Sequence, residues 1–389
     1  MRSEMMQQEA SRDGAGFDWQ RIRVDFPVVE RLAYLNSAGA GPVPQAVAEA
    51  AARFYRETME TGDRNWTAWL DERERARQRI AELINAEPDE IAFTTNTSTG
   101  MNLIVDALER SGEVISCELE FPVSTLPWMH RGIGVHLVKP VGGELLTEDV
   151  RRAMNDRTGI LCLSHVQYSN GFRADLEELG TNKGRHLFVV NASQSAGVLP
   201  IDVKRMRIDA LCATGHKWML AGYGSGFVYL SRELLARTRA RAIGWMSVHH
   251  PFKMRNDAYD ERTDAAARAE LGCPHFAAIF ALGKAVEYHL ETGKERVEQR
   301  ALEINRHLTS SLREAGWQIL SPLERETTRS AETLIATPEP ARVVKHLARR
   351  GVAVTIKPEG IRAATHFFNN QDDIARLLAA LAEVRDELL

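Results

Sequence analysis

The alternation of short apolar runs with helical segments between residues 88 and 230 is the feature that most constrains the fold of this chain. Strands joined through intervening helices pair in parallel, and continuous apolar runs indicate strands that are covered on both faces. We therefore predict an α/β fold whose large domain holds a mostly parallel, doubly covered sheet. The runs that we assign to strands lie at residues 91–93, 114–115, 135–138, 160–163, 187–190, 208–213 and 227–230.

Helices dominate both flanks of this alternation. Pro44 begins a helix with apolar side chains at helical spacing, and Gly62 ends it. Two long helices, at 277–290 and 297–315, lead to short strands and a final amphipathic helix. We predict a disordered tail, a large domain whose N-terminal segment contributes to the small domain, and a small C-terminal α+β domain, at residues 1–16, 17–275 and 276–389.

The composition is that of an ordinary soluble globular protein, with 44% apolar and 26% charged residues. A formal net charge of −4 gives no electrostatic reason to bind nucleic acid. No apolar run approaches the roughly 20 residues that cross a bilayer, and residues 1–16 lack the apolar core of a signal peptide. We expect a cytoplasmic protein without nucleic-acid or membrane partners. We predict no metal site, because His249, His250 and His275 lack supporting carboxylate or cysteine spacing.

Polar residues follow two of the predicted strands at the point where each strand ends. Asn191 and Gln194 follow the run 187–190, and Lys217 follows the run 208–213. Because ligands bind at the carboxyl ends of parallel strands, we expect these side chains to lie close together at a binding site. A lysine that is buried there can lose its proton near neutral pH and become a Schiff-base nucleophile.

Three further features are candidates for contacts with an anionic or planar ligand. The hydroxyl-rich segment 94–100 lies between a strand and a helix, where N–H groups bind anions, although such residues also serve simply as N-caps. Phe121 follows the predicted strand at 114–115, and its ring either stacks on a planar ligand or fills the core. His216 either binds a phosphate or has a structural role.

Longer motifs extend this pattern over nearly the whole chain. The most specific lie at residues 192–195, 215–218 and 222–227, and further typical ones lie at 34–39, 164–167, 171–173 and 244–247. In this combination the chain resembles the class V aminotransferase superfamily of pyridoxal 5′-phosphate (PLP) enzymes. This superfamily includes cysteine desulfurases, selenocysteine lyases and isopenicillin-N epimerase-like proteins. The resemblance implies a fold-type I structure with a seven-stranded sheet, PLP as cofactor, an amino-acid substrate, and a homodimer with active sites at its interface.

The resemblance also implies roles for individual residues around the cofactor. Lys217 forms a Schiff base with PLP, Gln194 faces the phenolic oxygen of the cofactor, and Phe121 stacks on its pyridine ring. The residues that hold the phosphate are Thr97, Ser98, Thr214 and His216.

Two residues are assigned to the substrate by the same resemblance. Arg362 matches the arginine that binds the substrate carboxylate, and Ala38 lies in the motif that borders the substrate. A guanidinium suits this task because it binds a carboxylate through two hydrogen bonds and keeps its charge. The alternative for Arg362 is a surface ion pair.

Asn191 departs from the family pattern, which has an aspartate facing the pyridine nitrogen. A carboxylate keeps that nitrogen protonated and makes the ring a strong electron sink, whereas a neutral amide does not. We therefore expect transamination to suffer most, while β-elimination and racemisation remain feasible. Two alternatives are that Asn191 is an introduced substitution that traps a complex, and that the chain binds PLP with little turnover.

The positions of the cysteines give a second functional indication. No cysteine follows Cys273, and residues 351–360, where cysteine desulfurases carry the cysteine that accepts sulfur, contain none. Phe121 also replaces the histidine that those enzymes stack on the cofactor. We therefore expect that the chain is not a cysteine desulfurase. Cys273 itself stands where relatives have a threonine that contacts the phosphate of the neighbouring subunit, and its weak donor leaves that contact open.

The leading hypothesis is a C–S lyase that acts on a cysteine-derived amino acid by β-elimination. Lys217 would exchange its Schiff base with the substrate and then remove the Cα proton. The alternatives are an amino-acid epimerase, which needs a second acid/base on the opposite face, and a class V aminotransferase, which Asn191 disfavours. A PLP-binding protein without turnover is a further alternative from a different functional class.

Overall fold

Strands and helices alternate along the chain in the computed structural model, which describes residues 17–108 and 111–388. The tail predicted at residues 1–16 lies outside the described residues. The strands are β1 (Ala33–Tyr34), β2 (Ile91–Thr94), β3 (Glu113–Cys117), β4 (Val135–Val138), β5 (Thr158–Ser164), β6 (Leu187–Asn191), β7 (Ala210–Thr214), β8 (Gly226–Leu230), β9 (Glu332–Ala336), β10 (Val352–Ala353), β11 (Thr355–Lys357) and β12 (Gly360–Ala364). The helices are α1 (Trp19–Val24), α2 (Gln45–Thr61), α3 (Trp66–Ile84), α4 (Thr97–Leu108), α5 (Leu126–His130), α6 (Thr147–Ala153), α7 (Leu176–Asn182), α8 (Arg232–Arg237), α9 (Phe276–Thr292), α10 (Lys294–Glu314), α11 (Pro340–Arg349) and α12 (Gln371–Leu388).

A seven-stranded sheet forms the larger part of the structure, in the order β2-β8-β7-β6-β5-β3-β4. Strand β8 runs antiparallel to both of its neighbours, and the remaining neighbouring pairs are parallel. The predicted mostly parallel sheet is therefore confirmed. Successive residues of β6 enter apolar cores on opposite faces, since Phe188 and Val190 lie in one core and Val189 in the other. Both faces are covered, as the continuous apolar runs predict.

The carboxyl ends of three central parallel strands lie side by side. Ser164 at the end of β5 pairs with Asn191 at the end of β6, and Asn191 pairs with Cys212 in β7. The residues that follow these strands therefore meet along one edge of the sheet. Candidate side chains that are distant in the sequence are brought together at this edge.

A second, smaller sheet lies in the C-terminal part of the chain. Strands β11, β12 and β9 form an antiparallel sheet in that order, and β1 pairs in parallel with β10. Ala33 and Leu35 share an apolar core with residues of α10, α11 and α12. The apolar residues predicted on one face of the last helix are fully buried in this core: Ile374, Leu377, Leu381 and Val384.

The helix α9 follows residue 275, where the domain boundary is predicted. Its residues Ala281, Leu282 and Val286 belong to the same core as the seven-stranded sheet. The C-terminal core includes Ile304 of α10 and residues beyond it. The division of the chain at residue 275 stays a prediction.

The segment at residues 66–69, which carries two tryptophans, is helical. It forms the first turn of α3, and Trp69 is buried against Phe54 and Phe276. These aromatic rings pack on α9, and this packing stabilises the helix. The many polar residues of the stretch obscure the helical spacing of its apolar residues. Within residues 17–108 and 111–388, no helix has the length and apolar character needed to cross a membrane.

Candidate active site

Lys217 lies in the turn that follows β7, at the carboxyl edge of the sheet. The segment that follows β1 runs against this turn, and the Gly41 N–H donates to the His216 carbonyl oxygen at 2.8 Å. A Cβ atom on Gly41 would lie 2.1 Å from the Lys217 carbonyl oxygen, so only glycine permits this approach. The fold therefore fixes the backbone of Lys217 from two sides.

The amine of Lys217 has the protonation behaviour that a nucleophile needs. Burial, together with the charge of Arg362, lowers its pKa to about 8, and the Glu332 carboxylate opposes this shift. Its Nζ atom lies 5.9 Å from the centroid of the Phe121 ring. A substantial fraction of the amine is thus free near neutral pH, with an aromatic ring beside it.

Asn191 is buried at the end of β6 and is held by two serines. Its Oδ1 atom accepts hydrogen bonds from the Ser193 N–H at 3.1 Å and the Ser193 hydroxyl at 2.6 Å. Its Nδ2 group donates to the Ser124 hydroxyl at 3.1 Å. The amide is oriented by these partners and brings no negative charge to the edge of the sheet.

Gln194 links the N-terminal segment to the lysine turn. Its Nε2 group donates to the Ala38 carbonyl oxygen at 3.1 Å, and its Oε1 atom accepts from the Trp218 indole N–H at 2.7 Å. Trp218 is 1% exposed, so its ring is part of the core. The structure thus brings Ala38, Gln194 and Trp218 together, with Gln194 hydrogen-bonded to both of the others.

The hydroxyl-rich segment begins α4 next to Asn191. The Thr97 hydroxyl is within 2.6 Å of the Ser193 hydroxyl, and Ser98 is exposed. The Asn96 side chain accepts from the Thr99 N–H at 2.9 Å, so this residue caps the helix. The N-cap interpretation therefore holds for Asn96, while Thr97 and Ser98 remain at a helix N-terminus where an anion is stabilised.

Thr214 and His216 complete this group of neutral donors. The Thr214 hydroxyl lies 2.7 Å from His216 Nδ1, and the imidazole stacks on the Tyr223 ring with centroids 4.5 Å apart. Burial, with a contribution from the charge of Lys217, lowers the pKa of His216 to about 4. The imidazole is therefore neutral at physiological pH and can act in hydrogen bonding without carrying a charge.

Arg362 reaches the site from β12 of the smaller sheet. It is 3% exposed, its NH1 group donates to the Tyr168 carbonyl oxygen at 2.8 Å, and it lies 3.1 Å from the Glu332 carboxylate. Its Nε atom is buried without a hydrogen-bond partner in the structure. The surface ion pair considered as an alternative is wrong, because both members of this pair are buried, and the guanidinium retains a donor for a ligand.

Phe121 and Glu120 follow β3 on the same side of the sheet. Phe121 is 46% exposed and makes an edge-to-face contact with Tyr168, with ring centroids 5.1 Å apart. The sequence analysis missed Glu120, whose buried carboxylate accepts from Ser164 and Gln167. Burial raises the pKa of Glu120. Its signal in the sequence is weak, because Glu118 and Glu120 both follow the same apolar strand.

Three further residues of this region escaped the sequence analysis. Tyr168 lies in a loop, while Glu332 and Lys357 lie in the short strands of the smaller sheet. Burial raises the pKa of Glu332, an effect that the charge of Arg362 opposes. Tyr168 follows β5 of the larger sheet, whereas the packing of the smaller sheet on the larger one brings Glu332 and Lys357 to Lys217. No local pattern encodes that packing. Among the described residues, no group of histidine, cysteine, aspartate or glutamate side chains is placed to hold a metal ion.

A lysine of lowered pKa and a group of neutral anion-binding donors, together at the carboxyl edge of a mostly parallel sheet, define a PLP-dependent enzyme of fold type I. The chain belongs to the aminotransferase class-V family, whose family model matches residues 33–377. This assignment confirms the predicted family and the predicted cofactor, pyridoxal 5′-phosphate.

Relatives with several different names share this family. The chain is 26% identical to an uncharacterized aminotransferase, YcbU, of Bacillus subtilis, over 93% of the chain and 97% of the relative. It is 28% identical to a probable cysteine desulfurase of Methanothermobacter thermautotrophicus, over 75% of both chains. It is 26% identical to the isopenicillin N epimerase of Amycolatopsis lactamdurans, over 94% of the chain and 98% of the relative.

Solved structures share the fold at lower sequence identity. An apo cysteine desulfurase from Thermococcus onnurineus superimposes with a TM-score of 0.86 and 22% identity, covering 94% of this chain and 97% of that one. The cystine C–S lyase C-DES, in complex with its product cysteine persulfide, gives a TM-score of 0.84 and 23% identity, covering 92% and 99%. These matches confirm the fold-type I architecture. The names of the desulfurase relatives conflict with the expectation that this chain is not a desulfurase, although such low identities do not transfer an activity.

The residues at the sheet edge fit PLP on chemical grounds. Besides Arg362 Nε, the buried atoms His165 Nδ1 and Gln167 Oε1 have no hydrogen-bond partner in the structure, and both residues follow β5. The pKa of His165 is lowered, chiefly by burial, so that its ring is neutral. Unpartnered neutral polar groups, an anion site at α4 and a free amine on Lys217 match a planar, phosphorylated aldehyde.

Proposed function

We propose that the chain is a PLP-dependent C–S lyase that cleaves an S-substituted cysteine by β-elimination. The observation that carries this proposal is the neutral, serine-held Asn191 beside the buried Lys217. Without a carboxylate at this position, the reactions that depend most on a strong electron sink are disfavoured relative to elimination of a good leaving group. A cystine C–S lyase among the structural neighbours supports this reaction class.

Each residue at the sheet edge has a part in the proposed reaction. PLP, when bound through Lys217, supplies an electron-withdrawing ring that acidifies the Cα proton of the amino acid. Arg362 binds the α-carboxylate through its fork, using the Nε group that has no partner in the structure. Thr97, Ser98 and His216 hold the phosphate with neutral donors and the helix N-terminus. Phe121 covers the ring, Gln194 faces the phenolic oxygen of the cofactor, and Ala38 borders the substrate.

Lys217 carries the proton transfer once its amine is displaced by the substrate amine. With a pKa near 8 it accepts the Cα proton, and the bond between Cβ and sulfur then breaks. The sulfur leaves with the bonding electron pair and takes up a proton to give a thiol. One water is consumed, and the remaining three-carbon unit is released as pyruvate and ammonium. Atoms and electrons balance without an external oxidant or reductant.

The proposal includes the expectation that the chain is not a cysteine desulfurase. Desulfurases need a thiolate near the substrate sulfur, and residues 351–360, which form β10 and β11, contain no cysteine. Cys117, Cys162 and Cys212 are buried within the seven-stranded sheet. Burial raises the pKa of the Cys117 thiol to about 12, so it does not supply a thiolate.

The assembly and the location of the protein are also part of the proposal. A homodimer agrees with the exposed apolar side chains that cluster in the segment after β8, and a cytoplasmic location agrees with cysteines that are free thiols. The side chains that we place at the dimer interface are Ile243, Trp245, Phe252, Met254 and Tyr259.

The reaction is tested by product analysis of the PLP-loaded protein with a panel of S-substituted cysteines. We expect pyruvate, ammonium and thiol in equal amounts over many turnovers. Alanine with protein-bound persulfide, formed from free cysteine included in the panel, would indicate a desulfurase instead, and accumulation of the pyridoxamine form would indicate an aminotransferase. Loss of optical activity in the substrate without pyruvate would indicate an epimerase. An unchanged cofactor spectrum with every amino acid would mean a binding protein, and each of these four results would overturn the proposal.

A further inference from the structure

Lys357 is a partly buried cation that lies beside the candidate active site without an ion pair. It is the last residue of β11, and its Nζ atom lies 4.1 Å from the centroid of the Tyr168 ring. In the described part of the chain, no carboxylate approaches its ammonium group within 4.0 Å. Such a charge, partly removed from water, is stabilised when an anion binds beside it.

Tyr168 places this lysine in the same pocket as the residues that bind cofactor and substrate. The Tyr168 ring contacts Lys357 on one side and the edge of Phe121 on another, and its carbonyl oxygen holds Arg362. Phe121 in turn lies next to Lys217 Nζ. The contacts around one aromatic residue therefore connect the two lysines and the arginine.

The strand register puts Lys357 and Arg362 on the same face of the smaller sheet. Lys357 pairs with Gly360 and Thr355 pairs with Arg362, so the two cations are diagonal neighbours on adjacent strands. Diagonal neighbours in an antiparallel pair have Cα atoms about 7–8 Å apart. An amino acid with its α-carboxylate on Arg362 can therefore extend an anionic side-chain terminus to Lys357.

The charge balance of the pocket favours a ligand with more than one negative charge. The cations Lys217, Arg362 and Lys357 share one buried carboxylate, Glu332, and the exposed Glu359 acts on Lys357 alone. The pKa of Lys357 is lowered to about 8 by burial and by the charges of Arg362 and Lys217, with Glu332 opposing. A substrate α-carboxylate compensates one cation and leaves the second uncompensated.

We propose that Lys357 is a specificity-determining residue that binds a terminal anionic group on the substrate side chain. The preferred substrate is then an S-substituted cysteine whose substituent ends in a carboxylate or a similar anion. This inference rests on the proposed function, because it places the α-carboxylate on Arg362 and the reacting sulfur beside Lys217. Lys357 lies in the region where a desulfurase would carry its sulfur-accepting cysteine. In this chain the region would therefore recognise the substituent on the substrate sulfur, and it holds no thiol that could attack that sulfur.

The test compares two substrates that differ only in the terminal charge. S-carboxymethylcysteine ends in a carboxylate, and S-carbamoylmethylcysteine replaces it with a neutral amide of the same shape. We expect the PLP-loaded wild-type protein to favour the acid over the amide. The variant Lys357→Met should lower kcat/KM for the acid by about tenfold or more. The same variant should change kcat/KM for the amide by less than about threefold. Lys357→Arg should keep the preference because it keeps the charge. Lys345→Met, at an exposed position of α11, is the matched control.

A second readout does not depend on turnover. Binding of succinate and of its monoamide succinamate, which has one carboxylate in place of two, is followed through the cofactor absorption of the loaded protein. Lys357→Met should weaken succinate by about tenfold and leave succinamate nearly unchanged. If neither cysteine derivative gives pyruvate but the succinate preference depends on Lys357, the lyase proposal fails and the assignment of Lys357 stands. Equal losses for both members of each pair, or no change in either, would mean that Lys357 only packs on Tyr168 and would overturn the inference.

Discussion

At the scale of single residues, the chemistry of the site depends on which groups carry charge. His216 and Asn191 are neutral, and burial lowers the pKa of Lys217 to about 8, so that part of its amine is uncharged near neutral pH. In the proposed site, neutral donors hold the cofactor phosphate, and the cationic side chains lie where the substrate is placed. Asn191 is the residue at which this arrangement departs from the family pattern.

The role of Asn191 is tested by restoring the acid. In Asn191→Asp the negative charge of the carboxylate should keep the cofactor nitrogen protonated and raise the rate of transamination by about tenfold or more. Conversion of the loaded protein to its pyridoxamine form is measured with an amino acid that lacks a leaving group at Cβ. Asn182→Asp, on the exposed side of α7, adds the same charge away from the site and should leave the rate as it is. A transamination rate that does not change in Asn191→Asp would contradict the electron-sink argument.

At the scale of elements, the site depends on close contact between segments from different parts of the chain. The N-terminal segment after β1 contacts the lysine turn through the Gly41 N–H and the Ala38 carbonyl oxygen. Strand β12 adds Arg362 from the other side. Each contact fixes the backbone from which a functional side chain extends, so precision at the site depends on packing between elements.

Gly41→Ala tests this packing. The new methyl group would collide with the Lys217 carbonyl oxygen and the Leu220 side chain, at 2.1 Å and 2.6 Å, so the lysine turn must move. We expect the affinity for PLP to fall by about tenfold or more, as measured by titrating apoprotein with cofactor. Gly134→Ala is the control, because there the methyl group meets only the flexible Glu113 side chain. Unchanged affinity in Gly41→Ala would show that the contact does not hold Lys217 in place.

The sequence predicts the central strands well because their apolar runs are continuous. Strand β4 agrees with its prediction at both ends, whereas β6 extends to the polar Asn191 and β7 begins two residues later than expected. Polar residues at strand ends take part in pairing without adding to the apolar signal. The helix α3 was not predicted, because its arginine-rich face is stabilised by partners distant in the sequence, such as Glu270 with the buried Arg77.

The same reasoning explains which site residues were predicted. Lys217, Asn191 and Gln194 follow predicted strands, and their meeting is a consequence of parallel pairing. Lys357 and Glu332 reach the site through the packing of the two sheets, which is a tertiary property, and their sequence neighbourhoods show no motif that would mark them. Tyr168 follows β5 between the motifs at 164–167 and 171–173, but neither motif includes it.

At the scale of the whole molecule, the proposed dimer accounts for a cluster of apolar side chains on the surface. Phe252 is 56% exposed and Tyr259 is 71% exposed in a segment that also carries Trp245. Isolated exposed apolar residues are normal, but several in one segment indicate a surface that is covered by a partner. Cys273 lies close to this segment, lining a cavity of about 310 Å³ with Thr95 and His275.

Charge placed in this segment should separate the subunits. Sedimentation of the loaded wild-type protein should give twice the mass of one chain. The double variant Phe252→Asp with Tyr259→Asp should sediment as a single chain, because burying two carboxylates at the interface opposes association. Val141→Asp, an exposed apolar position beyond the edge strand β4, should remain dimeric. A loaded wild-type protein that sediments as one chain would contradict the proposed assembly.

The central claim is that Lys217 carries a β-elimination at the edge of the sheet. The most direct measurement is pyruvate release over time by the PLP-loaded wild-type protein and by Lys217→Ala, each with S-carboxymethylcysteine. We predict many pyruvate molecules per wild-type chain, and a loss of at least about a thousandfold in Lys217→Ala, because Lys217 is the base that accepts the Cα proton in the proposed reaction. Pyruvate release by Lys217→Ala at the wild-type rate, or none from the wild-type protein, would contradict the account.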